Sequence, residues 1–425
     1  MLTKAPKGTK DVLPQESYKW HYIEDTIRDI TRSFGYSEIR TPVFEHTELF
    51  VRSVGDTTDI VKKEMFTFED KGHRSLTLRP EGTAGVVRAY IEHNLYTDLQ
   101  PAKLYYIAPC FRHERPQAGR LREFHQFGIE AFGGKEASLD AEIIALAVTL
   151  FDRLGIKGLK TGINSIGCPE CRPKYHETLR EFLKSNLDGL CAVCKERFEK
   201  NPLRILDCKE EKCKEVVRNV PHMLDHLCDG CRVHFDELKG YLDAAGIKYE
   251  VDPMIVRGLD YYTKTVFEIV SDSLGAQSTV CGGGRYDRLV EECGGPSVPG
   301  VGFGLGLERL LLIMEAQGIE AGKPCAYDAY IAALGDQARH KAFEIVQKLR
   351  SMGICADMDH AGRSLKAQFR YADKQGARYV CTLGDNELTA GELQVKNMAT
   401  GTAANVPIDM IGTYLKEQLG GIENE

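Results

Sequence analysis

A chain of 425 residues is too long for one ordinary hydrophobic core and should divide into two or three domains. With 43% hydrophobic and 28% charged residues it has the composition of a globular protein, and a net charge of −7 provides no general attraction to DNA or RNA, so a nucleic-acid contact must come from local basic faces. The longest mostly apolar run, Ile143 to Phe151, is far short of the ~20 residues of a membrane span, and the N-terminus lacks the apolar core of a signal peptide; both point to a cytoplasmic protein.

Residues Pro14 to Phe34 carry Trp20, Ile23, Ile27, Ile30 and Phe34 at helical spacing, and Gly35 closes the helix. A short strand ending in IRTPVFE follows, with Pro42 where an edge strand tolerates a missing N–H. Met65–Phe68 and Ser75–Leu78 read as a hairpin leading into RPEGTAGVVRAY, where a helix begins. Glu81 and Thr83 at that start suit an ammonium group, since carboxylate and hydroxyl both accept its protons; a helix N-cap with Thr83 capping and Glu81 solvated is the alternative.

Tyr105–Phe111 and Glu123–Phe132 have strand character and flank a turn-rich loop, a long-looped hairpin bearing Arg112, Arg115, Arg120 and Arg122. Guanidinium groups bind phosphate oxygens with paired hydrogen bonds, so the hairpin suits a polyphosphate, although charge alone leaves a solvated hairpin open. Even spacing places Phe124, Gln126, Gly128 and Glu130 on one strand face. Ala137–Leu154 is an amphipathic helix and Leu159–Ile166 is strand-like.

Eight of the fourteen cysteines then fall in one stretch as pairs: Cys168 and Cys171, Cys191 and Cys194, Cys208 and Cys213, Cys228 and Cys231. A reducing compartment argues against disulfides, and the two-residue spacing of three of the pairs lets both thiolates reach one tetrahedral Zn²⁺, Cys208 and Cys213 forming a wider knuckle. The gap between the first two pairs fits one zinc knuckle and the later two could form a second; one ion, two ions and plain buried thiols all remain open. Four thiolates leave no open coordination position, so such a site is structural. Helical periods at Tyr175–Leu187 and His234–Ala245 make this stretch a small α-rich unit.

The segment KYEVDPMIVRGLDYYTKTVFEIVSD crowds Arg257, Asp260, Tyr261 and Tyr262 into a turn before an alternating strand. Gly282–Gly284 permit close backbone approach to a ligand near Tyr286, with no lysine after them to make a phosphate-binding Walker loop. Glycines at 300, 302, 304 and 306 lead into an amphipathic helix from Leu307 that carries Arg309. After residue 322, Tyr327–Leu334, Ile354–Met358 and Arg378–Gly384 (strands) alternate with Asp336–Met352 and Ser364–Gln375 (helices), an α/β pattern. Arg363, Lys366, Arg370 and Lys374, three and four apart, form one basic helical face, either solvated or RNA-facing.

Several of these segments resemble the class II aminoacyl-tRNA synthetases. The first helix with IRTPVFE resembles their first motif, at a dimer interface; FRHE, loop, RLREF resembles the second; GVGFGLGLERL resembles the third. RPEGT and RGLDYYTKTVFE are similar to histidyl-tRNA synthetases in particular. The resemblance implies an α+β architecture: an antiparallel-sheet catalytic domain (1–323), a mostly helical, cysteine-paired insertion (167–247), and a C-terminal α/β anticodon-binding domain (324–425). It implies a ligase that activates L-histidine with ATP and Mg²⁺ to histidyl-adenylate and pyrophosphate, then loads the 3′ end of histidine tRNA, as a homodimer.

In that scheme Arg112 contacts the ATP α-phosphate and histidine, Glu114 the adenine edge, Arg120 and Arg309 the γ-phosphate, and Phe124 the adenine ring. Arg257 contacts the α-phosphate and the histidine carboxylate, while Glu81, Thr83, Gln126, Glu130, Tyr261, Tyr262 and Tyr286 surround histidine. Arg115 and Gln117 meet the tRNA acceptor end, and the insertion clamps the acceptor arm. Most family members lack the cysteine pairs, so a metal there rests on spacing alone. A regulatory subunit of ATP phosphoribosyltransferase would share the catalytic fold, yet lacks an anticodon domain and tends to lose motif residues; RGLDYY argues against prolyl or threonyl enzymes.

Overall fold

The computed structural model describes residues 3–55, 58, 60–117, 119–271, 279–322 and 327–420. The chain forms two compact units, Met1–Ala321 and Gly322–Glu425. The expected boundary at 323 and 324 lies outside the described residues, as does the last residue of the segment ending in VSD.

In the first unit the strands are β1 (Ser37–Glu38), β2 (Phe44–His46), β3 (Phe66–Glu69), β4 (Ser75–Leu78), β5 (Ala102–Phe111), β6 (Glu123–Phe132), β7 (Leu159–Ser165), β8 (Glu250–Val251), β9 (Thr263–Ser271), β10 (Thr279–Arg285) and β11 (Gly300–Gly306). Its helices are α1 (Pro14–Ser33), α2 (Thr47–Val54), α3 (Thr83–Glu92), α4 (Ala137–Arg153), α5 (Arg172–Lys184), α6 (Ala192–Lys200), α7 (Glu211–Val217), α8 (Asp229–Ala244), α9 (Leu289–Glu292) and α10 (Leu307–Ala316). Eight strands form one sheet in the order β1-β5-β6-β11-β10-β9-β7-β8, antiparallel throughout its middle and parallel in the two edge pairs.

Strand alternation gives this sheet one apolar face and one polar face. Phe127 and Ile129 of β6, Val301, Phe303 and Leu305 of β11, and Phe267 and Ile269 of β9 pack against α1, α4 and α10 through Ile23, Ile27, Ile143, Leu310 and Ile313. Each such side chain contributes about 1.5–3 kcal/mol through burial, which pins the strand register, because a one-residue slip would exchange the two faces. Gln126, Gly128, Glu130, Gly302, Gly304 and Glu268 therefore face the other way.

The expected single strand at IRTPVFE is two: β1 pairs with β5, and β2 belongs to a separate three-stranded sheet, β2-β4-β3. The break falls around Pro42, and buried Arg79 fills it, its Nη1 donating to Thr41 O at 2.9 Å and Pro42 O at 3.2 Å. Segment 167–247 shares its apolar core with the sheet's neighbours: Tyr175, Leu179 and Leu203 cluster with Val86, Tyr106 and Tyr262, and Phe235 and Leu238 of α8 join the core over α4.

The second unit contains β12 (Ala329–Ala333), α11 (Asp336–Ser351), β13 (Ala356–Met358), α12 (Leu365–Lys374), β14 (Tyr379–Leu383), α13 (Asp385–Ala390), β15 (Glu392–Asn397), β16 (Ala403–Pro407) and α14 (Ile411–Gly420). Strand order is β13-β12-β14-β15-β16, with the first three parallel and the last two antiparallel. One face packs on Ala342, Leu349, Ile411 and Leu415, the other on Ala372 and Phe369, as a parallel sheet covered on both sides requires. Among the described residues no helix is long and apolar enough to cross a membrane.

Candidate active site

The polar face of the eight-stranded sheet floors a cleft of about 370 Å³, lined among others by Glu81, Thr83, Arg112, Glu114, Arg120, Phe124, Gln126, Glu130, Arg257, Tyr261, Tyr262, Tyr286 and Arg309. Residues from five separate stretches of sequence thus meet at one place. The glycines make room for them: a Cβ on Gly302 would lie 2.1 Å from Ile129 O and 2.4 Å from the Glu130 carboxylate, one on Gly304 would lie 2.4 Å from Gln126 Nε2, and one on Gly282 2.4 Å from the Arg257 guanidinium.

At the deep end, Glu130 is 1% exposed and accepts hydrogen bonds from Thr83 Oγ1 at 2.7 Å and from the Tyr286 hydroxyl. Burial pushes its carboxyl up to about 8, against the opposing pull of those two donors, and the neighbouring Glu81 adds to the rise. Tyr261, Tyr262 and Tyr286 wall this end, with ring centroids 4.6 and 5.5 Å from Tyr261. Glu81 is buried rather than solvated and takes the first two N–H groups of α3, Thr83 and Ala84, both at 2.8 Å. Glu81 therefore caps the helix, and Thr83 spends its hydroxyl on Glu130.

At the other end, Arg112 donates through Nε to Pro80 O at 2.8 Å and covers the Phe124 ring at 5.2 Å. Arg120 Nη1 pairs with Glu114 at 2.8 Å, and Arg309 Nη1 donates to Thr279 O. Arg257 is ion-paired with Glu268 of β9, which also accepts from Thr279 Oγ1 at 3.0 Å. Arg115 and Gln117 are exposed on the β5–β6 loop, outside the cleft lining.

Sequence reasoning passed over Glu268, Glu308 and Tyr106. Glu268 was legible in principle, since it shares strand parity with the polar face. Glu308 accepts from His125 N–H at 2.9 Å. Tyr106 donates to Gln126 Oε1 at 3.2 Å, and its ring occupies the space that side chains on Gly82 and Gly128 would fill.

The cysteines combine in a nested order that differs from the sequential one. Cys168 and Cys171 meet Cys228 and Cys231, while Cys191 and Cys194 meet Cys208 and Cys213, and within each set all four sulfurs lie within 4.8 Å of one another. A tetrahedron with ~2.3 Å Zn–S bonds has sulfur–sulfur edges of ~3.8 Å. The separations Cys168–Cys171, Cys168–Cys228, Cys171–Cys231 and Cys191–Cys208 are 3.7, 3.7, 3.8 and 3.9 Å. Backbone N–H groups of Cys168, Cys191 and Cys194 point at sulfurs from 3.2 to 3.4 Å, as around metal-bound thiolates. Both sets could hold a metal ion.

In the second unit, Lys366, Arg370 and Lys374 are exposed along α12. Arg363 precedes the helix, pairs with Asp359 at 2.7 Å and lies over the Tyr371 ring at 4.5 Å, so it stands apart from that face.

A glycine-floored antiparallel sheet whose hairpin and following helix aim arginines into one cleft, accompanied by an α/β unit, is the architecture of class II aminoacyl-tRNA synthetases. The histidyl-tRNA synthetase family model matches residues 8–310 and the anticodon binding domain model residues 328–418. A histidine–tRNA ligase of Caldanaerobacter subterraneus subsp. tengcongensis is 59% identical, over 98% of this chain and 100% of its own. The apo histidyl-tRNA synthetase structure from S. aureus is 41% identical with a TM-score of 0.85, over 98% of this chain and 100% of that one. An ATP phosphoribosyltransferase regulatory subunit/histidyl-tRNA synthetase from Bacillus halodurans shares the fold, at 23% identity and a TM-score of 0.63, over 90% and 99% of the two chains.

The chain belongs to the histidyl-tRNA synthetase family. Its activity is the ATP-dependent ligation of histidine to tRNA through histidyl-adenylate.

Proposed function

We propose that the cleft performs both steps of this ligation with the residues that line it, and the convergence of Arg112, Arg257 and Arg309 on one cleft is the observation that carries the assignment. Histidine sits with its ring among Tyr261, Tyr262 and Tyr286 and its cationic groups toward Glu81, Thr83, Gln126 and Glu130. Its carboxylate oxygen attacks the ATP α-phosphorus in line; the new bond is O–P, and the bond to the pyrophosphate oxygen breaks. Arg112 and Arg257 take up the charge on the phosphorus oxygens, while Arg120 and Arg309 hold the departing pyrophosphate. Phe124 stacks on adenine and Glu114 reads its edge. The carboxylate of Glu308 lines this end and offers the hard oxygen donors that Mg²⁺ takes. When bound, Mg²⁺ adds charge neutralisation on the phosphates.

In the second step a terminal ribose hydroxyl of histidine tRNA attacks the adenylate carbonyl and AMP leaves. Exposed Arg115 and Gln117 meet the acceptor end, segment 167–247 acts as an insertion against the acceptor arm, and Lys366, Arg370 and Lys374 contribute a basic face to the anticodon-binding unit beyond residue 323. The two four-sulfur sets hold one structural Zn²⁺ each, the protein works in the cytoplasm, and two copies associate as a homodimer.

Histidine-dependent ATP–pyrophosphate exchange tests the assignment. Exchange should require histidine and be lost on Arg112→Ala or Arg309→Ala; exchange with another amino acid, or near-normal rates in both variants, would refute it.

A further inference from the structure

Residues 257–262 form neither helix nor strand. The segment nevertheless has to hold Arg257, Tyr261 and Tyr262 still at the cleft. Three side chains from the cysteine-paired segment grip it at alternate positions. Arg204 Nη1 donates to Gly258 O, Asn201 Nδ2 donates to Asp260 Oδ1 at 2.8 Å, and Arg172 Nη2 donates to Tyr262 O at 2.6 Å.

Each of the three is tied to a four-sulfur set. Arg172 follows Cys171 directly, at the start of α5. Asn201 and Arg204 lie between Cys194 and Cys208, the two knuckles of the inner set. Asp207 and Lys209, on either side of Cys208, reach the lining of the catalytic cleft itself.

We infer that the metal centres, whose occupancy by zinc rests on the reading above, set histidine recognition by clamping this turn from behind. Arg172, Asn201 and Arg204 are positioning residues: they touch no reacting atom and act through Arg257, Tyr261 and Tyr262. Adenine, Arg112 at the α-phosphate and the pyrophosphate contacts belong to the hairpin and α10, which the clamp does not touch, and Arg257 alone is shared between histidine and the α-phosphate. A loosened clamp should therefore weaken histidine binding and leave ATP binding nearly intact.

The test uses Asn201→Ala, Arg204→Ala and their double variant in the full-length protein, all of which keep every cysteine. In pyrophosphate exchange, KM for histidine should rise roughly tenfold in the double variant while KM for ATP stays within about twofold. Amide exchange of residues 254–262 should accelerate with zinc still at two atoms per chain. Removing zinc from the wild-type protein with a chelator under reducing conditions should produce the same histidine-selective change, reversed by adding zinc alone. An unchanged histidine KM in the double variant with two zincs bound would overturn the clamp while leaving the metal sites standing. Equal rises in both KM values would overturn it too. Protein purified without zinc and with its cysteines reduced would overturn the metal reading first, and this inference with it.

Discussion

Arg257 and Glu268 stand eleven residues apart in sequence and form an ion pair inside the cleft, with Arg257 19% and Glu268 23% exposed at their side chains. The partner holds the guanidinium extended over Gly282. Arg257→Ala should lower the rate of adenylate formation by about 10²–10³-fold, the scale of losing one group that stabilises developing charge. Circular dichroism and thermal melting should show a folded protein. Glu268→Gln should keep the guanidinium in place through a neutral acceptor and cost less, and single-turnover adenylate formation checks the order of the two.

Glu130 supplies a pH dependence. Its carboxyl, raised to about 8 chiefly by burial, holds its proton to higher pH than an ordinary carboxyl. A cationic group of histidine beside it favours the ionised form, so binding should release a proton from Glu130 below pH 8, and histidine affinity should strengthen as pH rises toward that value. Calorimetry at pH 7 in buffers of different ionisation heat should detect proton release from this group. Glu130→Gln should abolish that release and flatten the affinity profile after correction for the titration of free histidine.

The glycine floor separates a loss of fold from a loss of function. Gly302→Ala drives a methyl to 2.1 Å from Ile129 O, a backbone atom of the paired strand, so β11 and β6 must separate. That variant should be poorly soluble or melt many degrees lower. Gly282→Ala meets the Arg257 guanidinium at 2.4 Å, the far end of a flexible chain that can swing aside. It should fold with a melting temperature near the wild-type value and lose most of its exchange activity.

A buried ionic cluster ties α8 to the sheet beside Tyr286. Arg285, fully buried, donates to Asp140 through Nε at 3.0 Å, and His234 of α8 contacts the same carboxylate at 2.8 Å. Removing one partner of such a cluster strands the other charge in the core. Asp140→Ala should cost about 3–5 kcal/mol of stability, measured by urea denaturation, whereas an exposed pair such as Lys10 with Glu16 should be worth under about 1 kcal/mol.

Local pattern sufficed wherever a residue's partner is close in sequence or dictated by parity. Period-two alternation identified Glu123–Phe132 as a strand with Gln126 and Glu130 on one face, and alternate glycines at 300–306 marked a strand that something must approach closely. The same logic delineated the alternating helices and strands after residue 327. Parity could also have found Glu268.

Pairings across long separations had no local signature. Short spacing tells which thiols share a knuckle, two residues in three of the pairs and four between Cys208 and Cys213, but sequential and nested combinations of four knuckles have the same spacing. Only the fold of residues 167–247 brings Cys168 beside Cys228. Arg79 beneath the break at Pro42, Glu81 as the cap of α3, and Arg363 withdrawn to Asp359 are likewise settled by neighbours that the chain delivers from elsewhere.

The amino-acid order alone thus determined the alternation of the sheet, which depends on short-range periodicity, and its resemblance to a known family carried the reaction class. Tertiary structure decided which groups meet in the cleft, which thiols share a centre, and what grips residues 257–262. Those contacts depend on burial and chain closure over tens to hundreds of residues, and short windows of sequence do not encode them.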